Sequence, residues 1–289
     1  MRETIGVIGC GVVGEAVLRG FRERSTDVLG YDKYKRNPKS PDPTALMYDQ
    51  LYEMIEKAGI IFICVPTATN SDGSQDLTPL EETFELLSRR QYRGVVCVKS
   101  TVVPGTTRKL AERYQITRYA HNPEFLTAAR PYEDFMNQPA VVIGGPEADQ
   151  VARAYEDAAF TPTIPLETSE MSEMAKYMHN LFLATKVTFF NEMYEHCQAF
   201  GIDYQAALGG ALAIGQIGKG HTRVPGPDGK GVGFGGMCFI KDSTAFVYQA
   251  KEVGLFSEIL RAVDTKNRRL RPSAYDGQEA TGYSDKKGI

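Results

Sequence analysis

The sequence lacks any long hydrophobic run. No stretch approaches the roughly 18 consecutive apolar residues of a membrane span, and the first residues, MRETIGVIGCG, contain no long apolar core ahead of a cleavage site. An excess of positive charge is also missing, because 33 Lys and Arg against 36 Asp and Glu give a formal net charge of -3. Neither nucleic acid nor an anionic membrane attracts a mildly acidic protein strongly. We therefore expect a cytoplasmic protein without nucleic-acid or membrane partners.

Cysteine is scarce and shows no regular spacing. The chain has five cysteines, an odd number, and none forms a CxxC pair: Cys10, Cys64, Cys97, Cys197 and Cys238. Such a set fits neither a disulfide framework nor a zinc site. Reduced thiols and no bound metal are the expectation.

Short apolar runs alternate with amphipathic segments through the first half of the chain. The strand-like runs are TIGVIG, DVLGYD, IIFICV, GVVCVKS and AVVIGG, and segments such as EAVLRGF, LEETFELLSRR and EADQVARAYEDA between them have helical spacing. The alternation predicts an α/β fold, a Rossmann-type doubly wound parallel sheet covered by helices. We predict that this domain spans residues 1–165.

The pattern changes after the strand-like TPTIPLE. Residues 169–200 contain no Gly or Pro and carry apolar residues at helical spacing, which predicts one long helix. Pro162 and Pro165 lie just before it and indicate a domain boundary.

A Gly-rich loop at 215–236 and a further helical stretch at about 242–269 follow the long helix. The second domain, residues 166–270, is therefore predicted to be mainly helical. The polar residues 271–289 are predicted to form a flexible tail.

The segment from Gly9 to Gly14 reads G-C-G-V-V-G, directly follows the first strand and opens the first helix. In this setting glycines allow a tight turn and let a pyrophosphate approach backbone N–H groups at a helix N-terminus. We therefore predict a dinucleotide site that includes Gly9, Gly11, Val12, Val13 and Gly14.

Asp32 ends the second strand about twenty residues further on, where a carboxylate can accept hydrogen bonds from ribose hydroxyls. This position favours NAD over NADP. Lys33, Lys35 and Arg36 follow it and have the charge to hold a 2′-phosphate, but a charge cluster after a strand is more often a solvated loop.

Polar residues also follow two other strands. Pro66 and Thr67 come after IIFICV, and Ser100 and Thr101 after GVVCVK. Open α/β sheets bind their ligands at the carboxyl ends of strands, so we predict cofactor contacts here. A role as ordinary turn residues is equally compatible with the sequence.

Cys238 lies within GVGFGGMCFIKD, after a run of glycines and four residues before Asp242, with Lys241 between them. Glycines permit close approach of a substrate to the backbone, and a neighbouring cation favours the thiolate of a nucleophile. A cysteine taken alone is more often a buried structural residue. The setting favours a nucleophile.

Lys176 and Asn180 lie four residues apart on the predicted long helix, with Glu173 one turn earlier, and so share a face. A Lys and an Asn side by side can donate hydrogen bonds to a developing oxyanion. The alternative is a solvated helix surface. His179 between them is interpreted as structural.

Taken together, these motifs resemble a known enzyme family. GCGVVG, CVPT, KSTVVPGTT, NPEFL, EMAKYMHNLFLATKVTFFNE and GFGGMCFIKD occur in the order seen in the UDP-glucose and GDP-mannose dehydrogenase family, over about residues 5–253. The resemblance implies an NAD-dependent oxidation of the C6 hydroxymethyl group of a nucleotide sugar, with UDP-glucose favoured, to a carboxylate. Two NAD are reduced in succession, and the aldehyde is not released.

The resemblance also assigns roles to residues. It implies that Cys238 is the nucleophile, that Lys176 and Asn180 stabilise the oxyanion, and that Thr101 and Asp242 position a water for acid–base work. It further implies that Glu124, in NPEFL, takes part in thioester hydrolysis, and that Lys241 lies near cofactor and substrate. The substrate-binding residues implied by the same motifs are Glu124, Phe125, Leu126, Lys176, Asn180 and Gly235, and His221 and Arg223 on the Gly-rich loop are predicted from their side chains as further substrate contacts.

Two departures from the family pattern stand out. Family members usually have a second glutamate four residues after Glu124, where this chain has Ala128, which places cofactor affinity or one proton transfer in question. The family also continues into a second Rossmann-like domain that holds the nucleotide, and a domain of that kind needs on the order of 100 residues. We expect it to be missing here, with a partner protein or the side chains of His221, Arg223 and Lys230 supplying phosphate contacts.

Two other functions remain open. A two-electron β-hydroxyacid dehydrogenase has the same plan of a Rossmann unit plus a long helix and also employs a Lys-x-x-x-Asn pair. A non-catalytic NAD-binding module could instead complement a full-length partner.

The long helix has apolar residues on more than one face, such as Met174, Met178, Leu181 and Phe182. This pattern suggests that the helix packs against a second subunit as well as its own domain, and so predicts a homodimer.

Overall fold

In a computed structural model, residues 3–34, 51–127, 129–226 and 231–275 are described. The strands are β1 (Ile5–Ile8), β2 (Val28–Tyr31), β3 (Ile60–Ile63), β4 (Val95–Val98), β5 (Tyr119–His121), β6 (Val141–Gly144) and β7 (Thr163–Leu166). The helices are α1 (Val12–Glu23), α2 (Leu51–Lys57), α3 (Thr78–Arg89), α4 (Thr106–Arg113), α5 (Pro131–Met136), α6 (Ala148–Asp157), α7 (Ser169–Phe200), α8 (Tyr204–Ala213), α9 (Met237–Glu252) and α10 (Glu258–Leu270). Lys35, Arg36, Ala128, Lys230 and residues 276–289, which carry some of the expectations above, lie outside the described residues.

The strands form one sheet in the order β2-β1-β3-β4-β5-β6-β7. All neighbouring strands are parallel except β5 and β6, which pair antiparallel through His121 and Gly144. The doubly wound, Rossmann-type sheet predicted from the sequence is therefore confirmed, with one antiparallel pairing that apolar periodicity does not reveal. The strand order reverses between β1 and β3, the position at which open sheets of this type bind ligands.

Both faces of the sheet are covered, which explains the unbroken apolar runs in its central strands. Every residue of β1, β3 and β4 is buried, as expected for strands with helices on each side. On one face an aromatic cluster fills the core, with Phe21, Phe62, Phe135, Tyr155 and Phe160 in mutual contact. On the other face Ile61, Ile63 and Val96 pack with residues of α2, α3 and α4.

The chain divides into two compact units. The first comprises residues 1–70 and 75–176, and the second residues 71–74 and 177–289. The sequence placed the boundary at 165/166, just before α7, whereas the first turns of α7 belong to the first unit. Their side chains explain this difference, because Ser172 hydrogen-bonds His121 and Glu173 accepts from the backbone of Gly105 and Thr107.

In the second unit, α8, α9 and α10 follow the remainder of α7. The predicted extent of the long helix, residues 169–200, agrees with α7. The helical stretch predicted at about 242–269 is helical apart from a turn at residues 253–257, which separates α9 from α10. Its predicted start is too late, because α9 begins at Met237, directly after the Gly-rich loop. The glycines before Met237 favour a loop, so the sequence pattern does not indicate where α9 begins.

The first residues of the predicted flexible tail are packed. Arg271 is buried, residues 272–274 form a short 3-10 helix, and the Tyr275 hydroxyl accepts a hydrogen bond from Asn267 Nδ2 at 3.1 Å. The guanidinium of Arg268 lies 4.0 Å from the centre of the Tyr275 ring. Residues 271–275 are therefore packed against α10 and do not form part of a flexible tail.

In the parts of the chain that the structure describes, no helix is both long enough and apolar enough to cross a membrane.

Candidate functional site

The glycine turn after β1 forms a concave backbone surface at the N-terminus of α1. Gly9 has φ +88°, a conformation that favours glycine, and a Cβ there would lie 2.7 Å from the Cys64 carbonyl oxygen. A Cβ at Gly14 would lie 2.0 Å from the Gly9 oxygen, whereas a Cβ at Gly11 would meet nothing within 4 Å. The fold itself therefore requires glycine at Gly9 and Gly14. Gly11, by contrast, faces free space beside Val12 and Val13 in the first turn of α1.

The end of β2 adds a carboxylate to this turn. Asp32 Oδ2 accepts a hydrogen bond from Cys10 N at 2.8 Å, and Oδ1 accepts from Tyr34 N at 2.9 Å. A carboxylate has about four lone-pair positions, so acceptor capacity remains for ribose hydroxyls. Lys33, one candidate for binding a 2′-phosphate, pairs instead with Glu82 at 3.0 Å. The turn and Asp32 together fit NAD.

The polar residues after β3 and β4 tie the two strand ends together. The Thr67 hydroxyl donates to the Thr101 carbonyl at 2.7 Å, and the Ser100 hydroxyl donates to the Val65 carbonyl at 2.6 Å. Thr67 and Ser100 are buried, Pro66 is exposed and Thr101 is partly buried. These hydroxyl contacts hold the loops beside the glycine turn in place, so Thr67 and Ser100 have a structural role in addition to any contact with a cofactor.

Lys176 and Glu124 form a buried ion pair in the first unit. Lys176 Nζ donates to Glu124 Oε1 at 3.2 Å and to the Glu124 carbonyl at 2.5 Å, while Glu124 Oε2 accepts from Leu126 N at 2.6 Å. The Phe125 ring centre lies 5.2 Å from Nζ. An ammonium group has three donors, so one donor of Lys176 remains for a substrate oxygen. The solvated helix surface considered for Lys176 from the sequence is wrong, since this residue is 3% exposed.

A buried polar network beneath this pair was missed by the sequence analysis. Lys99 is 2% exposed, and its ammonium group donates to Asn122 Oδ1 at 2.8 Å. The Tyr155 hydroxyl donates to the same oxygen at 2.7 Å, and Asn122 Nδ2 donates to the Val142 carbonyl at 2.7 Å. Burial lowers the pKa of Lys99. The network fixes Asn122, two residues before Glu124, and its only sequence signal is a Lys and an Asn within apolar surroundings.

Glu173, which shares a helix face with Lys176, has a different role. Its carboxylate accepts from Gly105 N at 2.6 Å and from Thr107 N at 2.9 Å. It therefore satisfies two backbone N–H groups at the start of α4, as a capping residue does. Burial raises the pKa of this carboxyl group despite those bonds.

Cys238 is the second residue of α9 and is exposed. The other four cysteines are buried or partly buried, and burial raises the pKa of Cys64 to about 12 and also raises that of Cys97. Those two therefore remain thiols at neutral pH. A position in the first turn of a helix, near its partial positive charge, suits an anionic sulfur.

One turn beyond Cys238, Asp242 is buried and hydrogen-bonded through both carboxylate oxygens. Oδ2 accepts from Asn180 Nδ2 at 2.6 Å, and Oδ1 accepts from Lys241 Nζ at 2.6 Å. The second N–H of the Asn180 amide remains available as a donor. His179 Nδ1 lies 3.0 Å from Asn180 Oδ1, consistent with the structural role expected for it. The structure thus brings Asn180, Lys241 and Asp242 into one polar cluster within the second unit.

The remaining predicted substrate residues lie on the loop between α8 and α9. His221 and Arg223 are exposed, and Gly235 is partly buried. The His221 ring centre is 6.1 Å from that of Phe239, one residue after Cys238. Two buried asparagines that the sequence analysis missed, Asn191 and Asn267, bind the backbone of this loop near its end.

An open, doubly wound sheet with a Gly-x-Gly-x-x-Gly turn and a carboxylate after the second strand defines a dinucleotide-binding dehydrogenase domain, here followed by a helical domain. The chain belongs to the UDP-glucose/GDP-mannose dehydrogenase family. The family's NAD binding domain matches residues 44–158 and its central domain residues 170–269. The NAD binding domain of the D-isomer specific 2-hydroxyacid dehydrogenases also matches residues 1–82. The cofactor is NAD, as the sequence predicted.

Individual relatives agree with this membership. The UDP-glucose 6-dehydrogenase AglM of Haloferax volcanii is 30% identical over 301 residues, covering 89% of this chain and 68% of AglM. The structure of a UDP-glucose dehydrogenase from Pyrobaculum islandicum is 29% identical, with a TM-score of 0.82 and coverage of 93% of this chain and 68% of that one. The 3-hydroxyisobutyrate dehydrogenase of Mycobacterium tuberculosis, 15% identical, shares the fold over 96% of both chains with a TM-score of 0.73. This chain spans about half to two thirds of the length of the first curated relatives it matches, at 66%, 51% and 53%.

Proposed function

We propose that the chain acts as an NAD-dependent nucleotide-sugar 6-dehydrogenase that oxidises the C6 hydroxymethyl group to a carboxylate, with UDP-glucose as the favoured substrate. The observation that carries the proposal is the position of Cys238, exposed in the first turn of α9 and one turn before the cluster of Asn180, Lys241 and Asp242. Relatives named UDP-glucose 6-dehydrogenase support the substrate class.

The sulfur explains how a four-electron oxidation is completed on one carbon. Bound NAD supplies the hydride acceptor, and two NAD are reduced for each sugar. Once the alcohol has become an aldehyde, the Cys238 thiolate adds to the carbonyl carbon, forming a C–S bond, and the oxygen takes up a proton. Loss of the second hydride from that carbon, together with the proton from its hydroxyl oxygen, leaves a thioester. Water then displaces the sulfur, giving the carboxylate and returning Cys238 as a thiol.

The polar residues take the roles that this chemistry requires. Lys176 and Asn180 keep the oxyanion-stabilising roles implied by the family resemblance, and each has an N–H that is not used in the bonds described above. Thr101 and Asp242 keep the acid–base roles implied by the family resemblance, and Glu124 keeps its role in hydrolysis of the thioester. Lys241 neutralises the charge of Asp242 and lies near the substrate. Phe125, Leu126, His221, Arg223 and Gly235 complete the proposed substrate contacts. Arg223 is directed to phosphate as a cation, and His221 as a hydrogen-bond donor, because desolvation lowers the pKa of its imidazole.

NADH stoichiometry tests the proposal directly. A panel of UDP- and GDP-sugars is incubated with the protein and NAD, and NADH and acid are measured against the sugar consumed. We expect two NADH and one carboxylate per sugar, with the largest rate for UDP-glucose. One NADH per sugar, or none with every nucleotide sugar tested, would refute the four-electron reaction.

We also propose that the chain forms a homodimer through α7. Met178, Phe182 and Phe189 lie four and seven residues apart along the helix and are 67%, 65% and 53% exposed, which is unusual for large apolar side chains. An exposed apolar stripe along one helix suits a twofold interface, in which each copy covers the stripe of the other.

Sedimentation velocity checks the dimer. Wild type is expected at about twice the chain mass of 31.9 kDa, and Phe182→Asp is expected to shift it to monomer, because a carboxylate would be buried without a partner. Tyr52→Asp, at an exposed aromatic residue of α2 in the first unit, is the control and should leave the dimer intact. A monomeric wild type at micromolar concentration would contradict the proposal.

A further inference from the structure

We propose that Asn191 and Asn267 are positioning residues for Cys238. They bind the backbone of residues 233–234, in the loop that leads into α9, and so hold the first turn of the helix that carries the sulfur. The inference rests on the proposed nucleophilic role of Cys238.

Asn267, on α10, binds both backbone groups of a single residue. Its Oδ1 accepts from Phe234 N at 2.8 Å, and its Nδ2 donates to the Phe234 carbonyl at 2.9 Å. Asn267 is fully buried. An amide is suited to this geometry because it is donor and acceptor at once, and it pairs with Phe234 as a neighbouring strand would.

Asn191, on α7, binds the backbone of Gly233, the residue before Phe234. Its Oδ1 accepts from Gly233 N at 2.8 Å, while its Nδ2 donates to the Val187 carbonyl at 2.8 Å in the same helix. Gly233 has φ +74°, and a Cβ there would lie 2.7 Å from Asn267 Oδ1. A residue with a side chain at this position would collide with Asn267 and adopt a strained backbone conformation, which accounts for one of the closely spaced glycines before Cys238.

The backbone segment held by Asn191 and Asn267 is linked to Cys238 by the chain itself and by the packing of two aromatic rings. The buried Phe234 ring packs edge-on against Phe239, the residue after Cys238, with centroids 5.8 Å apart. Gly236 precedes α9 without a side-chain cap. The start of α9 therefore depends on the loop being held, and the backbone N–H groups of that first turn are the groups that stabilise negative charge on a nearby sulfur.

The test measures the reactivity of Cys238 without requiring turnover. The purified protein is treated with iodoacetamide, and the alkylation rates at Cys238 and at the partly buried Cys197 are followed by peptide mass spectrometry. Asn267→Leu is expected to slow alkylation of Cys238 relative to Cys197 by about two- to fivefold, the range of a charge effect at a helix N-terminus. Thr188→Val, which removes a buried hydroxyl bond elsewhere on α7, should leave the ratio unchanged.

Asn267→Asp adds a readout that a purely structural role would not move. An ionised carboxylate still accepts from Phe234 N but faces the Phe234 carbonyl with a second acceptor, whereas the protonated acid restores both bonds. The variant's Cys238 alkylation rate, expressed as a fraction of wild type at each pH, should therefore rise toward one as the pH is lowered from 8.5 to about 5.5. Asn191→Asp keeps the acceptor for Gly233 N but faces the Val187 carbonyl with a second acceptor, so its Cys238 alkylation should also approach wild type as the pH is lowered, whereas that of Asn191→Leu should not.

Folded Asn267 variants with unchanged or faster Cys238 alkylation would overturn the inference, as would a ratio for Asn267→Asp that does not change with pH. Where the chain turns over a nucleotide sugar, Asn267→Leu should lower kcat and leave KM for the sugar nearly unchanged. Absence of turnover in wild type would refute the proposed function and leave the alkylation result standing.

Discussion

Replacement of Cys238 by alanine is expected to lower the rate at which the carboxylic acid forms by at least about 10³-fold, because removal of a covalent nucleophile has effects of this size in other enzymes. Without the sulfur, the aldehyde carbon cannot become a thioester, so the second hydride has no bound intermediate from which to leave. The measurement is acid and NADH per nucleotide sugar, with the aldehyde trapped by a hydrazine reagent. Residual NADH should appear with trapped aldehyde and without carboxylate.

A matched control for this substitution is Cys197→Ala, which removes a partly buried thiol from α7 in the same unit. It should retain both NADH stoichiometry and rate, since Cys197 packs against the apolar cluster that contains Tyr204 and Leu208. Full turnover of a β-hydroxyacid by Cys238→Ala would instead favour the two-electron dehydrogenase, whose fold also spans this length. Tight NAD binding by wild type without turnover of either substrate class would favour the non-catalytic module.

Features that depend on neighbouring residues could be predicted from the sequence. The glycine turn, Asp32 at the end of β2 and the length of α7 all follow from local patterns, because a tight turn, a strand end and a helix face are each set within a few residues. The antiparallel pairing of β6 and the start of α9 were not evident from such patterns. Both depend on how a connection is packed rather than on its periodicity.

The site's supporting contacts could not be predicted, because they join residues far apart in sequence. Lys99 and Asn122 are 23 residues apart, Gly233 and Asn191 are 42 apart, and Asn180 and Asp242 are 62 apart. A lone Asn in a helix carries no sign of its partner. The roles of the residues come from the family motifs, whereas the contacts that hold Asn122 and residues 233–234 in place are visible only in the folded chain.

Gly11→Ala is expected to weaken NAD binding by about tenfold or more while leaving the protein without cofactor as stable as wild type. A Cβ at Gly11 meets nothing within 4 Å, and its φ of -71° is accessible to alanine, so the free energy of unfolding should change by less than about 0.5 kcal/mol. The new methyl group would nevertheless occupy the space into which a pyrophosphate must come to reach the backbone N–H groups of α1. Denaturant unfolding without NAD and calorimetric titration with NAD measure the two effects separately.

Gly14→Ala provides the contrast within the same turn. Its Cβ would lie 2.0 Å from the Gly9 carbonyl oxygen, a backbone atom that cannot move without displacing β1 or α1. Unfolding free energy and NAD affinity should therefore fall together in this variant, whereas only affinity falls in Gly11→Ala. Undiminished NAD affinity in Gly11→Ala would mean that the pyrophosphate does not approach the chain at this glycine. The assignment of the turn as a phosphate cradle would then fail even though the fold around it is that of a dinucleotide-binding domain.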